Sequence, residues 1–284
     1  MVRAVSEIYR KSMRRHRFGY ALYEPVPFSR LYPGVLGYLD EYQRWHPILD
    51  LNDAHAVQAA GYTPLLGNLQ RAKPDMRCYG PLTASDVSKT DVALGVGADA
   101  STMGLPLDVG GIVSYGTAGS FGAVLVCDGD VASEGFDFRN PFLAWLKRNA
   151  NMLFSNYPDT KKYGVCIATW TYSTTNIHIS AWEGASHSVT VGFTVGAAGV
   201  GHATPQTTWH RGHASNGWST YTDQKRVVFF AGVKIKTGVF GTKEQPESRW
   251  RGNDRFMVEG ASEDDYYVAE AELIGDDWYI IKDG

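Results

Sequence analysis

The sequence predicts an α+β fold, a twisted and mainly antiparallel sheet with flanking helices, and three observations carry that prediction. Apolar residues alternate with small or polar ones through two long stretches, Val92 to Val131 and Tyr163 to Ala198, as they do along half-buried strands. Between them, Asn140 to about Tyr157–Pro158 carries the start and stop signals of a helix. A further helical pattern opens the chain, with Val2, Val5, Ile8, Tyr9 and Met13 at helical spacing.

That opening helix is also strongly basic. Its first 17 residues hold Arg3, Arg10, Lys11, Arg14, Arg15 and Arg17 against the single Glu7. Such a basic amphipathic helix suits an anionic membrane surface. At about 1 kcal/mol per basic residue near an anionic leaflet, the cluster supplies roughly 6 kcal/mol at most, enough for reversible docking. The same pattern fits a surface helix with its apolar stripe on a core, or a mitochondrial presequence.

Next, Gly34 to Tyr38 and Trp45 to Leu51 read as a hairpin joined by Asp40–Glu41–Tyr42–Gln43, and a loop-like stretch follows to about Val87. In the first apolar region Val92, Leu94, Val96 and Ala98 alternate with Ala93, Gly95 and Gly97, and Gly119 to Cys127, with Phe121, forms a second strand before Asp128–Gly129–Asp130. Asn140 is the expected helix cap, with Pro141 at the first position and Phe142, Trp145, Leu146, Asn149 and Leu153 along one face. In the second region Val165, Ile167 and Ile177 lie among Thr and Ser. There too, Val189, Val191, Phe193 and Val195 alternate with Ser188, Thr190, Gly192, Thr194 and Gly196. Arg226 to Val239 reads as a strand with Val227, Phe229, Ala231, Val233 and Ile235 on one side and Lys234 and Lys236 on the other. Gly241 to Asn253, with Pro246, reads as a linker, after which Tyr267 to Ile274 and Asp277 to Ile281 are expected to pair around Gly275–Asp276.

Charge separates these segments. Tyr163 to His210 spans 48 residues with one formal charge, Glu183. The second face of its strands is small and uncharged where a solvated strand shows Lys, Glu or Arg. Each strand is about the 9–11 residues that cross a bilayer with tilt. Strands of this kind can exchange a protein core for lipid; a soluble β-sandwich with uncharged inner strands has the same pattern. Residues 241–284 carry 5 Lys/Arg against 12 Asp/Glu, and the remainder 22 against 18, so an acidic tail balances a basic body.

Other classes find less support. At 284 residues and 44% hydrophobic content the chain can form one large domain or two small ones. It has no run of 18 apolar residues for a membrane helix, and its basic start leads to Phe18–Gly19–Tyr20–Ala21–Leu22–Tyr23–Glu24–Pro25, too short and interrupted for a secretory signal. Cys78, Cys127 and Cys166 are scattered and odd in number, which suits a reducing cytosol. Gly95–x–Gly97–x–x–Ala100 lacks the helix a dinucleotide fingerprint needs, and Gly119–Ser120–Phe121–Gly122 misses a nucleophile elbow because Ala118 replaces the first glycine. Asp128–Gly129–Asp130 reads as a turn without the rest of a calcium loop. His202, His210 and His213 near Trp209 and Asp223 form the richest chemical cluster, a metal site or a plain surface loop.

Gly37–Tyr38–x–Asp40, followed by Trp45, Ile48 and Asp50–Leu51 and preceded by the basic helix, resembles the opening of fungal gasdermins, heterokaryon-incompatibility and cell-death proteins related to the pore-forming domain of animal gasdermins. The resemblance covers roughly residues 1 to 240 and implies a gasdermin N-terminal-domain-like fold. It further implies a non-enzymatic, cofactor-free protein that is autoinhibited until activated, binds acidic phospholipid, and assembles with its own copies into a β-barrel pore. The chain departs from the animal pattern by lacking a large C-terminal inhibitory domain. The expected division is therefore a pore-forming domain 1–240 and a short acidic inhibitory segment 241–284, removed by an activating protease that cuts after Phe240.

On this reading Arg3, Arg10, Lys11, Arg14, Arg15, Arg17, Lys234 and Lys236 meet lipid. Val92, Leu94, Val96, Phe121, Val165, Ile167, Val189, Val191, Phe193 and Val195 lie on inserting strands, and Tyr266, Tyr267, Leu273, Trp278, Tyr279 and Ile280 cover the resting body. The protein is expected in the cytoplasm when inactive, and at the plasma membrane, or a mitochondrial one, when activated. The alternatives are a soluble β-rich protein that binds glycans through its aromatic residues, and a metal-dependent enzyme using the histidine loop.

Overall fold

A computed structural model describes residues 2–65, 67, 69–92, 111–185, 187–194, 208–211, 217–237, 255–259 and 266–275. The fold class is the expected one: every strand pair is antiparallel, and helices flank the sheets.

The main sheet is organised on its longest ladder, β10 (Val165–Thr174) with β15 (Arg226–Thr237). A bulge between Ala168 and Trp170 divides that ladder, because an extra residue on one strand bends it and frees its edge for a new partner. Before the bulge β10 pairs with β2 (Val35–Leu39), and after it with β9 (Asp130–Gly135). In the same way β15 takes β1 (Tyr20–Pro27) along its first half and β17 (Tyr266–Ile274) along its second. At the fork, Gly232 passes so close to β10 that a Cβ there would lie 2.0 Å from the Ile167 carbonyl oxygen. The sheet is extended by β3 (Trp45–Asp50) on β2, β4 (Asp75–Cys78) on β9 and β16 (Arg255–Glu259) on β17.

The helix Asn140–Asn156 lies on one face of this sheet. Its spacing puts Phe142, Trp145, Leu146, Ala150, Leu153 and Phe154 into one core with Leu36, Val165, Ile167, Val233 and Ile235. The cap is Arg139 rather than Asn140, since the Phe142 and Leu143 amides both donate to the Arg139 carbonyl and start the helix one residue early. On the opposite face Leu22, Leu31, Val35, Trp45, Cys166, Phe230 and Ile274 form a second core.

The β2–β3 hairpin forms where the sequence places it. Asp40 fixes its turn, its Oδ1 accepting the Tyr42 and Arg44 amides at 2.8 and 2.9 Å. The following stretch is less loop-like than expected: Asp53 caps a short helix, Ala54–Ala59, and β4 and β5 (Leu82–Thr83) are too short to leave a periodic signal. The three cysteines are free, and no helix among the described residues is long and apolar enough to cross a membrane.

Candidate functional site: a bent ribbon under a basic helix

Two four-stranded sheets complete the fold, the middle one packed on the main sheet and the outer one packed on the middle one. The middle one has the order β14 (Trp218–Tyr221), β11 (Ile177–Glu183), β8 (Phe121–Cys127), β5. The outer one has the order β13 (Thr208–Arg211), β12 (Ser188–Thr194), β7 (Gly111–Thr117), β6 (Val87–Val92). Each strand of one sheet is therefore the chain neighbour of the strand at the same place in the other. Short bends join β5 to β6, β7 to β8 and β11 to β12, so the pair of sheets is one four-stranded sheet folded over on itself.

Register shows how complete that continuity is at the centre. In the middle sheet Phe121 faces Glu183 and Cys127 faces Ile177; in the outer sheet Gly116 faces Ser188 and Gly111 faces Phe193. Four residues, 117–120 and 184–187, separate these pairings on each strand. Gly111–Cys127 and Ile177–Phe193 thus form a ribbon with one register on both sides of its bend. The outer strands lack this match: between Thr83–Val124 and Val87–Thr117, three residues on one strand answer six on the other.

Period-two alternation also passes through the bend in phase. On one row lie Val113, Tyr115, Phe121, Ala123 and Leu125, paired with Val191, Val189, Glu183, Ala181 and Ile179. The other row carries Ser114, Gly116, Ser120 and Gly122 with Thr190, Ser188, Gly184 and Trp182 about the bend, and Ile112, Val124 and Val126 with Gly192, Ser180 and His178 towards its ends. Glu183 and His187, at the bend, interrupt the apolar row with a carboxylate and an imidazole.

In the folded molecule this row is hidden in two places. Val113, Tyr115, Val189 and Val191 pack between the sheets against Val124 and Val126, with Trp182 and Trp218 alongside. Phe121, Ala123, Leu125, Ile177 and Ile179 share a core with Tyr9 and Met13 of the N-terminal helix and with Phe229 of β15. Helix α1 (Val2–Ser12) and the 3-10 turn Met13–His16 therefore lie over the apolar row of the middle sheet. Burial pushes the Tyr9 phenol well above its ordinary value, and its hydroxyl has no hydrogen-bond partner among the described residues.

The basic residues divide accordingly. Lys11, Arg14, Arg15 and Arg17 are exposed, with Lys11 paired to Glu7 at 2.7 Å. Arg10 lies 4.7 Å over the Tyr20 ring, and Lys234, only 8% exposed, approaches the same ring at 5.8 Å. Lys236 is exposed. Arg3 lies in α1 with its side chain outside the described residues. Arg15 donates through Nη1 to the Ala84 and Ser85 carbonyls at 3.4 Å each. His16 Nε2 donates to the Thr83 carbonyl at 2.8 Å, and burial lowers its pKa against that hydrogen bond.

Strand β17 places acidic residues on this basic surface in register, Glu272 opposite Lys234 and Glu270 opposite Lys236. Its Ile274 is buried in the core beside Phe230, and Arg139 Nη2 donates to the Gly275 carbonyl at 3.2 Å. Leu273 is 43% exposed, so it is Ile274 that fills the core, a residue the aromatic and aliphatic pattern of the tail did not single out.

Of the strand residues named from sequence, Phe121, Val189 and Val191 lie in the ribbon, whereas Val165 and Ile167 belong to the main sheet beneath the long helix. Val92 ends β6 and Phe193 lies in β12, with side chains outside the described residues. Tyr266 and Tyr267 begin β17 likewise. Leu94, Val96, Val195, Phe240, Trp278, Tyr279 and Ile280 lie outside the described residues, as do the proposed linker and His202 and His213. His210 is on β13 with its side chain outside them, and no metal-ligating group of three is found among the described residues. Sequence reading missed β7 with Val113 and Tyr115, although these two alternate about Ser114; the surrounding Gly and Ser masked the strand.

No family model matches the chain, and no curated protein does. Among solved structures the chain is similar to a bacterial gasdermin from Bradyrhizobium tropiciagri, with 9% identity over 79% of this chain and 85% of that one and a TM-score of 0.29. A likeness at that level fixes neither fold nor function.

Proposed function

We propose that this chain is an autoinhibited pore-forming protein: it docks on acidic phospholipid through its basic N-terminal surface, opens its folded-over sheet into the bilayer, and closes with its own copies into a β-barrel that kills the cell. The carrying observation is the single register of Gly111–Cys127 and Ile177–Phe193 through the bend. Straightened, this pair keeps its inter-strand pairing and brings the two apolar halves of the row onto one side, separated only by Thr117, Glu183 and His187 about the bend. Each strand then exceeds the roughly 9–11 residues a tilted membrane strand requires. Burial of a Val or Phe is worth roughly 1.5–3 kcal/mol in a core or in acyl chains alike, so the exchange carries little hydrophobic cost. Unpaired edges are not tolerated in lipid, which makes closure with further copies part of the same event.

Activation in this reading is removal of the acidic segment 241–284. Glu270 and Glu272 sit opposite Lys236 and Lys234, and loss of β17 removes both carboxylates from the lysines and uncovers the Gly232–Thr237 edge of β15. The test is dye release from vesicles containing phosphatidylserine. Residues 1–240 should release dye at submicromolar protein and the full chain should not. Equal silence of both forms would exclude the tail as inhibitor and leave a partner chain as the activator.

A further inference from the structure

The end of the N-terminal helix holds the bends of the folded-over sheet, and it does so with residues of its basic surface. Ser12 accepts the Ser85 amide at 3.2 Å, His16 donates to the Thr83 carbonyl, and Arg15 bridges the Ala84 and Ser85 carbonyls. These groups belong to the bend between β5 and β6. The path continues from there: the Thr117 hydroxyl lies 3.1 Å from the Asp86 carbonyl and accepts the Gly119 amide, and the Gly184 amide donates to the Ser120 carbonyl at 2.9 Å. Three bends are thus joined by hydrogen bonds to one exposed arginine and its neighbours.

We infer that Arg15 and His16 form a clasp on the β5–β6 bend, and that a phosphate ester of an acidic membrane opens it by taking the Arg15 guanidinium. The inference rests on the pore-forming reading above and gives it a trigger. Its physical basis is a competition that the clasp loses. Two bonds of 3.4 Å to neutral carbonyls from an exposed side chain are long and weak. A phosphate oxygen offers the guanidinium charge-assisted bonds of about 2.7–2.9 Å in a bidentate geometry, roughly twice as strong. Arg14 and Arg17, exposed on either side, bring the same surface to the phosphates. Docking and bend release therefore share a residue, so the sheet stays folded until a membrane is present.

The test is amide hydrogen exchange of the full chain at Ser85, alone and with vesicles of phosphatidylserine in phosphatidylcholine, vesicles of phosphatidylcholine only, and inorganic phosphate. Vesicles with phosphatidylserine should accelerate Ser85 exchange at least tenfold, with the other two additions leaving it unchanged. Arg15→Lys keeps the charge on a shorter side chain, which falls short of two carbonyls that Nη1 reaches only at 3.4 Å, so it should bind the anionic vesicles like the parent while exchanging Ser85 at least fivefold faster without them. Unchanged Ser85 protection in vesicle-bound protein overturns the inference, as does parental protection in Arg15→Lys. Acceleration by inorganic phosphate alone overturns the membrane as the opener. Should neither the full chain nor residues 1–240 bind these vesicles, the pore-forming reading falls, and the lipid-free comparison of Arg15→Lys with the parent still decides whether the clasp exists.

Discussion

Tyr9 is the most consequential side chain of the N-terminal helix, because it fastens a basic element to the interior with a group the interior does not welcome. It is fully buried, edge-on to Tyr23 at 5.4 Å, yet its hydroxyl finds no partner among the described residues. A buried hydroxyl left unpaired costs about 1–3 kcal/mol, so Tyr9→Phe should raise unfolding free energy by about 1 kcal/mol, measured by urea denaturation. A loss of stability would show a hidden partner for the hydroxyl. His16 offers a second measurement. Burial holds its pKa below the ordinary 6.5, so the folded protein favours the neutral ring. Its contribution is complete above pH 6.5 and shrinks as pH falls from there through the lowered folded value, because the unfolded chain takes up the proton first. The stability difference between the parent and His16→Gln should therefore be smaller at about pH 5.5 than at about pH 7.5. A difference independent of pH would place the proton elsewhere. Arg10 stands apart from its basic neighbours: packed on Tyr20 with its Nε buried, it cannot be reversed in charge without disturbing the fold, so tests of docking belong to Arg14 and Arg17.

At the scale of elements, the two rows of the ribbon make different demands. Val191 is 1% exposed between the sheets, and Thr190 beside it points to the small, uncharged side. Val191→Asp should cost the resting protein about 3 kcal/mol and abolish dye release by residues 1–240, whereas Thr190→Asp should leave most of the release intact. Circular dichroism must show each variant folded, and equal effects of the two would mean that the rows are not lipid and lumen. How much of this was legible depended on local signal. The β2–β3 hairpin, the long helix and β15 announce themselves by turn residues, a proline at the helix start and an alternating run. The row Val189–Val191 was legible by the same period of two. What a single sequence does not carry is pairing: nothing local distinguishes Val165 and Ile167, which lie beneath the long helix, from Ile177 and Ile179, which lie in the ribbon. That assignment is decided by the bulge after Ala168, which divides β10 between β2 and β9, a nonlocal event.

For the whole molecule, the acidic segment is less a detachable lid than a strand of the main sheet. Six residues of β15, Gly232 to Thr237, pair with β17, and Ile274 contributes to a core that also contains Trp45 and Phe230. Gly275 wedges beside Gly19, where a Cβ would come within 3.2 Å of the Gly19 Cα. Cleavage alone would leave β17 held by these contacts, so the silent and active forms need not separate at the moment the chain is cut. Dye release by residues 1–240 measures the body freed from the strand; release by a nicked full chain would measure how long the strand stays.

The unequal bends flanking the ribbon carry their own consequence. Flattened, the middle pair has nothing to adjust, but its neighbours do: beside β8 and β7 the chain runs three residues against six, and beside β11 and β12, from Ser180–Trp218 to Val191–Arg211, ten against six. The surplus has to be stored as a bulge, on the inner strand in both cases, and a bulge adds twist and bends its strand. Slack of that kind on both flanks would give the opened sheet a built-in curl, and a sheet that curls is already part of the way round a ring.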